Sequence, residues 1–217
     1  MSARPKPPKR TAAKPAAAKP PAAAPGDARR ADAGYYQALH DTSPRYQTNN
    51  WLIDDLPALL AVGAESILEV GCGNGLFLQR AAKHWKDVTG VDWARSPVLD
   101  RVLRENPGIR FVQQDVAAFR PERRYGLLAS ADFLEHLPPA SLPEVIRRLH
   151  AAADVCYHRI ACYDDGHSHL SVFRPKSWLR RFEAACPGAG YRIVGTSVRK
   201  GRRKKTVVVI SNLGASR

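Results

Sequence analysis

The sequence predicts an α/β fold: a Rossmann-like, seven-stranded and mostly parallel sheet with an antiparallel C-terminal hairpin and helices on both faces. Three observations lead to this prediction. Short β-rich runs alternate with helix-sized segments from Tyr35 onward, and a glycine-rich turn follows the first run. The last two runs are separated only by a short, mostly basic segment. With 217 residues, of which 44% are apolar, the chain can form one domain with a buried core.

Seven runs rich in β-branched and aromatic residues predict the strands: 66–70, 87–92, 109–115, 125–132, 153–162, 191–198 and 206–213. Between the first five lie helical segments, namely "LFLQRAAKHW", "SPVLDRVLREN" and "SLPEVIRRLHAAA". Such alternation favours right-handed crossovers and a parallel sheet. In the third segment, Ser141 is the predicted N-cap and Glu144 the capping-box partner. No crossover helix fits into "RKGRRKK" (199–205), so the last two strands are predicted to be antiparallel.

The ends of the chain differ in composition from its middle. Residues 1–30 contain mostly Pro, Ala and Lys and are predicted to be a disordered basic tail, which leaves 31–217 as the folded domain. No apolar stretch is long enough for a membrane span or a secretory signal, which predicts a cytoplasmic location. The four cysteines have no CxxC spacing and are predicted to be reduced thiols.

The formal charge of +14 is concentrated in two segments. Residues 1–30 carry eight Lys or Arg against the single Asp27, and residues 199–205 carry six without an acid, which leaves the rest of the chain at about +1. These segments predict contact with an anionic partner such as RNA, DNA, anionic glycans or lipid headgroups. The alternative is that both are solvated surface.

The run "ILEVGCGNG" (67–75) places three glycines at alternate positions after the first predicted strand. A strand that enters a helix through such a turn presents backbone N–H groups to a ligand over the sheet edge. Leu76 breaks the GxGxxG spacing of dinucleotide sites, and the GK[ST] ending of a P-loop is absent. Asp92 ends the second strand, where a carboxylate can accept both hydroxyls of a ribose, and Asp115 ends the third. We therefore predict a nucleoside ligand without a long phosphate chain.

The motifs "LEVGCGNG", "GVDWARSPV", "FVQQDV" and "ADFLEHLPP" together resemble those of the class I S-adenosylmethionine-dependent methyltransferases, over about residues 60–213. The resemblance implies S-adenosylmethionine as cofactor and a sheet of strand order 3-2-1-4-5-7-6. The glycine turn would hold the methionine part, Asp92 the ribose, Trp93 an adenine face, Asp115 and Val116 the adenine edge, and the Ala131 carbonyl the methionine amine. The implied cofactor-binding residues are Glu69, Gly71, Cys72, Gly73, Gly75, Asp92, Trp93, Asp115, Val116 and Ala131.

Methyl transfer to a hydroxyl requires alignment of the acceptor and, for an alcohol, a base. His136, His167 and His169 follow strands at the edge where this fold binds ligands, and we predict His136 or His169 as the catalytic base. Each of them could instead be purely structural. The segment 166–194 resembles that of small-molecule methyltransferases, so a small-molecule or glycan acceptor is predicted. Candidate acceptor contacts precede the first strand: Tyr35, Tyr36, Tyr46, Asn49, Asn50 and Trp51.

Two other functions use the same residues. Asp132, Glu135 and His136 with His169 resemble the Glu-x-x-Glu-His plus distal His set of the small-RNA 3′-terminal 2′-O-methyltransferases, in which a divalent ion would hold a ribose diol. Asp132 departs from that set, and our main hypothesis includes no metal. The other alternative is a non-catalytic adaptor that binds nucleic acid through its basic segments.

Overall fold

The computed structural model describes residues 32–199 and 205–214, to which all structural statements below refer. The predicted tail (1–30) and the residues that join the last two strands (200–204) lie outside the described residues. The fold is one seven-stranded sheet in the order β3-β2-β1-β4-β5-β7-β6. The first five strands pair in parallel, and β7 pairs antiparallel with both β5 and β6. The predicted fold class and strand order are confirmed.

The strands lie close to their predicted positions. They are β1 Ser66–Val70, β2 Asp87–Asp92, β3 Ile109–Gln113, β4 Tyr125–Ala131, β5 Ala153–Ala161, β6 Arg192–Arg199 and β7 Lys205–Ser211. The first two match the prediction at both ends. Strand β4 ends one residue early because Asp132 has a φ of 53°, a left-handed conformation that interrupts an extended strand.

Seven helices occur in the described residues: α1 Ala33–Thr42, α2 Pro44–Thr48, α3 Leu52–Leu60, α4 Leu76–Ala81, α5 Pro97–Glu105, α6 Leu142–Ala152 and α7 Pro175–Ala185. A 3₁₀ turn covers Leu134–His136. Helix α5 begins as predicted, with Leu99 N–H donating to Ser96 Oγ over 3.0 Å. Ser141 occupies the N-cap position of α6 as predicted, but its side chain makes no capping bond, because its hydroxyl donates to the Pro138 carbonyl.

The core has two halves, one on each face of the sheet. Side chains alternate along a strand, so Ile67 packs with α3, α4 and α5 while its neighbour Leu68 packs with α6 and α7. Both side chains are fully buried, and full burial of such a side chain contributes about 1.5–3 kcal/mol. In the described part of the chain, no helix has the length and apolar character that a membrane crossing requires.

This topology brings the ends of β1 to β4 to one edge of the sheet. The glycine turn follows β1, Asp92 ends β2, Asp115 follows β3, and Asp132 follows β4. Because parallel strands end at the same edge, residues far apart in sequence meet there. The strand order reverses between β1 and β4, which is where such sheets bind ligands.

Candidate active site

A cavity opens at this edge of the sheet between the glycine turn and the residues after β4. Its wall includes most of the predicted cofactor-binding residues: Gly71, Cys72, Gly73, Asp92, Trp93, Asp115, Val116 and Ala131. Of the predicted acceptor contacts, the wall includes Tyr36, Tyr46, Asn49, Asn50 and Trp51. His136 also lines the cavity, whereas Glu69, Gly75 and His169 do not form part of its wall.

The glycine turn and Asp92 form one end of the cavity, which we call the glycine pole (residues 71–74 and Asp92). Gly71 has a φ of 73°, and a Cβ on this residue would lie 2.7 Å from Phe133 Cδ2. Gly75 has a φ of 70°, and a Cβ there would lie 2.6 Å from Leu99 Cδ1. Gly71 thus lets Phe133 pack against the turn, whereas Gly75 lets α4 and α5 approach each other.

Backbone amides fix the Asp92 carboxylate. Gly73 N–H donates to Asp92 Oδ2 over 2.8 Å, and Ala94 N–H donates to Oδ1 over 2.9 Å. Burial raises the pKa of Asp92, and this effect outweighs the opposing effect of the two amides. Each carboxylate oxygen keeps acceptor capacity beyond these single bonds, so Asp92 can still accept from the hydroxyls of a ribose.

The segment before β1 is tied to the glycine pole by amide side chains. Asn74 Nδ2 donates to the carbonyls of Tyr46 and Asn49, both over 2.9 Å. Asn50 Nδ2 donates to Glu69 Oε1 over 3.2 Å, below the turn. Glu69 Oε2 is buried without a hydrogen-bond partner among the described residues, and burial raises the pKa of Glu69 well above its usual range.

The residues predicted to contact adenine lie beside the glycine pole. The Trp93 ring lies 5.6 Å from the Tyr36 ring, measured between centroids. Val116 is buried, whereas Asp115 is exposed and its Oδ1 accepts from Ala117 N–H over 2.8 Å. That bond holds the Asp115 side chain at the cavity wall, as a strand-terminal Asp that caps a turn would be held.

Asp132, Glu135, His136 and His169 form the other end of the site, the histidine pole. Asp132 Oδ1 lies 3.9 Å from His136 Nε2 and 3.8 Å from His169 Nε2. The two imidazole rings are 4.9 Å apart between centroids. One ligand atom from each of the four residues lies within 4.8 Å of the others, so the structure brings together the complete set that the sequence indicated.

Backbone carbonyls orient both imidazoles. His169 Nδ1 lies 2.5 Å from the Tyr163 carbonyl, and His136 Nδ1 lies 3.2 Å from the Ser168 carbonyl and 2.9 Å from Tyr36 Oη. A carbonyl only accepts, so Nδ1 of each ring carries a proton, and Nε2 of each ring faces Asp132. This is the arrangement that orients histidine as a base or as a metal ligand.

The charges of the histidine pole shift one another's pKa values. Burial raises the pKa of Asp132, but the two imidazoles outweigh it and hold the pKa below the usual range. Burial lowers the pKa of His169, yet Asp132 and the nearby carboxyl groups raise it to about 9. The pKa of His136 is raised in the same way, because the effect of Asp132 outweighs that of burial. Burial and the Asp132 charge raise the pKa of Glu135 to about 7.

Glu135 connects the pole to the core. Its Oε1 accepts from Ala161 N–H over 2.6 Å, and its main-chain carbonyl accepts from the N–H groups of Leu170 and Ser171. Glu135 Oε2 is buried and has no hydrogen-bond partner among the described residues. A buried carboxylate oxygen without a donor is unusual in a purely structural role.

Three residues of the site escaped the sequence analysis. His40 lines the cavity, Asn74 ties the pole to the preceding segment, and Asp165 accepts from three successive N–H groups of the loop that carries His169. The spacing of Tyr36 and His40, one helical turn apart, was a usable signal for a buried histidine. Asp165 gave no such signal, since an Asp in a loop is common.

Comparison with known proteins agrees with this geometry. A family model described as "Methyltransferase domain" matches residues 67–154. The chain is 27% identical to the ubiquinone biosynthesis O-methyltransferase of Aeromonas salmonicida over 122 residues, which are 54% of this chain and 49% of that protein. It is 33% identical to malonyl-[acyl-carrier protein] O-methyltransferase 1 of Ilyobacter polytropus over 69 residues, which are 30% of this chain and 26% of that protein. The chain thus spans half or less of the length of these curated relatives.

The fold is also similar to that of solved structures. The 1,6-didemethyltoxoflavin-N1-methyltransferase of Burkholderia thailandensis, solved with 1,6-didemethyltoxoflavin and S-adenosylhomocysteine, superposes with a TM-score of 0.67 at 18% identity. The match covers 90% of this chain and 93% of that one. The matched domain, the strand order and the glycine pole support assignment to the class I S-adenosylmethionine-dependent methyltransferase superfamily.

Proposed function

We propose that the protein transfers the methyl group of S-adenosylmethionine to a hydroxyl of a small-molecule or sugar-type acceptor. The observation that carries this proposal is that the glycine pole and His136 line the same cavity. A cofactor held at the glycine pole would face an acceptor at the histidine pole. The predicted cytoplasmic location and a domain boundary near residue 31 stay predictions.

The residues present fit this cofactor. At the glycine pole, Gly71 and Gly73 line the cavity without a side chain, and a Cβ on Gly71 would meet Phe133. The fixed Asp92 carboxylate suits a ribose diol, and Glu69 has an unpartnered buried oxygen beneath the turn. The bound cofactor supplies an activated methyl group, so the protein has to align the acceptor and accept its proton.

His136 is the better of the two candidate bases. It lines the cavity, whereas His169 does not form part of the cavity wall. Asp132 raises the pKa of His136, which makes Nε2 a stronger base toward an alcohol. His169 would then position Asp132 rather than touch the acceptor. Tyr36 contacts His136 and would fix the orientation of its ring.

A second candidate is divalent-ion-dependent methylation of a ribose hydroxyl in RNA. The observation that favours it is the convergence of all four side chains of the histidine pole. Separations of 3.8–3.9 Å between Nε2 and Asp132 Oδ1 are too long for good hydrogen bonds. They fit two ligands of one ion, because ligands about 2.1 Å from an ion lie roughly 3–4 Å apart. Glu135 Oε2 and both Nε2 atoms would hold such an ion with Asp132, and the ion would supply charge to hold a diol.

The nucleic-acid partner rests on sequence alone. The two basic segments lie almost entirely outside the described residues, and no relative above is named for an RNA substrate. Both the RNA acceptor and the adaptor function therefore stay predictions.

One experiment separates these functions. The purified protein is incubated with methyl-labelled S-adenosylmethionine and an extract of the source cells, which is then fractionated into RNA, protein, glycan and small molecules. Label in small-molecule or glycan material that survives a chelator supports the main proposal. Label that requires a divalent ion and is released by ribonuclease favours the second candidate. Asp92→Ala supplies the background, and a chain lacking residues 1–30 tests the tail.

The remaining outcomes contradict the main proposal. Binding of S-adenosylhomocysteine without transfer to any fraction, together with tight binding of nucleic acid, would favour the adaptor. Failure to bind S-adenosylhomocysteine at all would exclude both enzymatic functions.

A further inference from the structure

His40 lies on the cavity wall although no sequence motif of the superfamily includes it. It occupies the last turn of α1, outside the residues that the methyltransferase model matches. The residue is 6% exposed, and its ring packs edge-to-face on Tyr46 with centroids 5.4 Å apart. Packing therefore holds the imidazole in one place beside the glycine pole.

One edge of the imidazole faces Gly73. A Cβ on Gly73 would lie 3.2 Å from His40 Cε1 and 3.8 Å from His40 Nε2. Gly73 N–H is the group that donates to Asp92 Oδ2, and His40 and Asp92 interact electrostatically. His40 and Asp92 therefore flank the same stretch of the glycine pole, and both belong to the cavity wall.

One ring nitrogen of His40, Nδ1, is buried and makes no hydrogen bond within the described residues. A buried polar atom without a partner costs about 1–3 kcal/mol. Proteins seldom keep such an atom in a cavity wall unless a bound molecule satisfies it.

The surroundings of His40 select the kind of group it would bind. Burial lowers the pKa of His40 more than Asp92 and Asp41 raise it, so the ring is neutral at pH 7, with one nitrogen donating and the other accepting. An anionic group at this position would be repelled by Asp92. A hydroxyl donates and accepts at once, so it can donate to the carboxylate and accept from the imidazole.

We propose that His40 binds the cofactor, by sharing a ribosyl hydroxyl of S-adenosylmethionine with Asp92. This inference rests on the proposed function and adds a cofactor contact from the segment before β1. It also gives that segment a role in cofactor affinity, beyond the acceptor contacts predicted from the sequence.

The test is titration calorimetry of S-adenosylhomocysteine and of its 2′-deoxy and 3′-deoxy ribose analogues. We expect His40→Phe to weaken binding of S-adenosylhomocysteine about tenfold, the effect of one buried hydrogen bond. One deoxy analogue should bind wild type more weakly and lose nothing further in His40→Phe. His40→Gln, which keeps a donor and an acceptor, should recover part of the affinity. His84→Phe alters an exposed histidine away from the cavity and should bind all three like wild type.

Two results overturn the inference while the proposed function stands. In the first, His40→Phe and His40→Gln both bind S-adenosylhomocysteine as tightly as wild type. In the second, His40→Phe weakens S-adenosylhomocysteine and both analogues by the same factor, which would mean that His40 only supports the fold of the site. A wild-type protein that binds none of the three compounds overturns the proposed function and the inference together.

Discussion

The two poles of the cavity are held in place by different kinds of bonds. The glycine pole depends on the backbone: N–H groups of Gly73 and Ala94 fix Asp92, and Gly71 has a left-handed conformation with Phe133 packed against it. The histidine pole depends on side chains, since Asp132 and two imidazoles set one another's orientation and charge. A backbone-built pole can bind the same cofactor in many relatives, whereas a side-chain-built pole can change with the acceptor.

This difference predicts that a substitution in the histidine pole lowers kcat, whereas a substitution in the glycine pole lowers the affinity for the cofactor. His136→Gln should lower kcat by about 10²–10⁴ because it removes the base, while the affinity for S-adenosylhomocysteine changes less than about twofold. Steady-state kinetics and calorimetry on the same preparation measure both quantities. His167→Gln is the matched control, because His167 contacts Tyr35 and Asp165 but does not line the cavity. Full activity in His136→Gln would remove the assignment of the base.

A substitution in the glycine pole should instead lower the affinity for S-adenosylhomocysteine. If Asp92 binds the ribose as we propose, Asp92→Ala removes those charge-assisted bonds and also frees the N–H of Gly73, so we expect about a 100-fold loss of affinity for S-adenosylhomocysteine. Asp87→Ala is the control at the opposite end of the same strand, where Asp87 pairs with Arg123. Unchanged binding by Asp92→Ala would contradict the nucleoside interpretation of the glycine pole.

The same difference explains what the sequence could predict. The strand order and the position of Asp92 follow from short-range patterns, because glycine spacing and β-rich runs are local signals. His136 lines the cavity, whereas His169 does not. This arrangement depends on the loop that Asp165 holds, about thirty residues further along the chain than His136. His40 was missed because its significance comes from Gly73, a neighbour in space and not in sequence. The side-chain cap predicted at Ser141 is absent for a related reason, because the Ser141 hydroxyl donates to the Pro138 carbonyl instead.

The pKa of His158 provides a test of whether Asp132, rather than burial, raises the pKa values of the two imidazoles in the histidine pole. His158 is fully buried on β5 with Ser130 as its partner, and burial lowers its pKa to about 3. A histidine with a depressed pKa stabilises the fold fully above about pH 6.5, and this stability is lost as the pH falls toward 3. The free energy of unfolding should therefore drop by up to about 1.4 kcal/mol per pH unit from this group, or about 2 kcal/mol at pH 5.

Urea unfolding of wild type and His158→Phe at pH 7 and pH 5 measures this contribution. The variant should lose less stability than wild type on acidification, although the unpaired Ser130 hydroxyl lowers its stability at both values. His84→Phe, at an exposed site, should keep the wild-type difference. Equal acid sensitivity of His158→Phe and wild type would show that burial alone does not depress the pKa of a histidine in this sheet.

The smallest predicted effect concerns the junction of the poles. Asn74 ties the glycine pole to the segment that carries Tyr36, and Tyr36 in turn contacts His136. Asn74→Ala removes the two hydrogen bonds to this segment and a third from Leu76 N–H, so we expect about a fivefold loss of affinity for S-adenosylhomocysteine and faster amide hydrogen exchange in residues 33–50. Asn106→Ala, which removes an amide contact in the last turn of α5, is the control. If exchange in residues 33–50 stays at the wild-type rate, the segment is held by its packing on Trp93 and Ala94, and the two poles are independent.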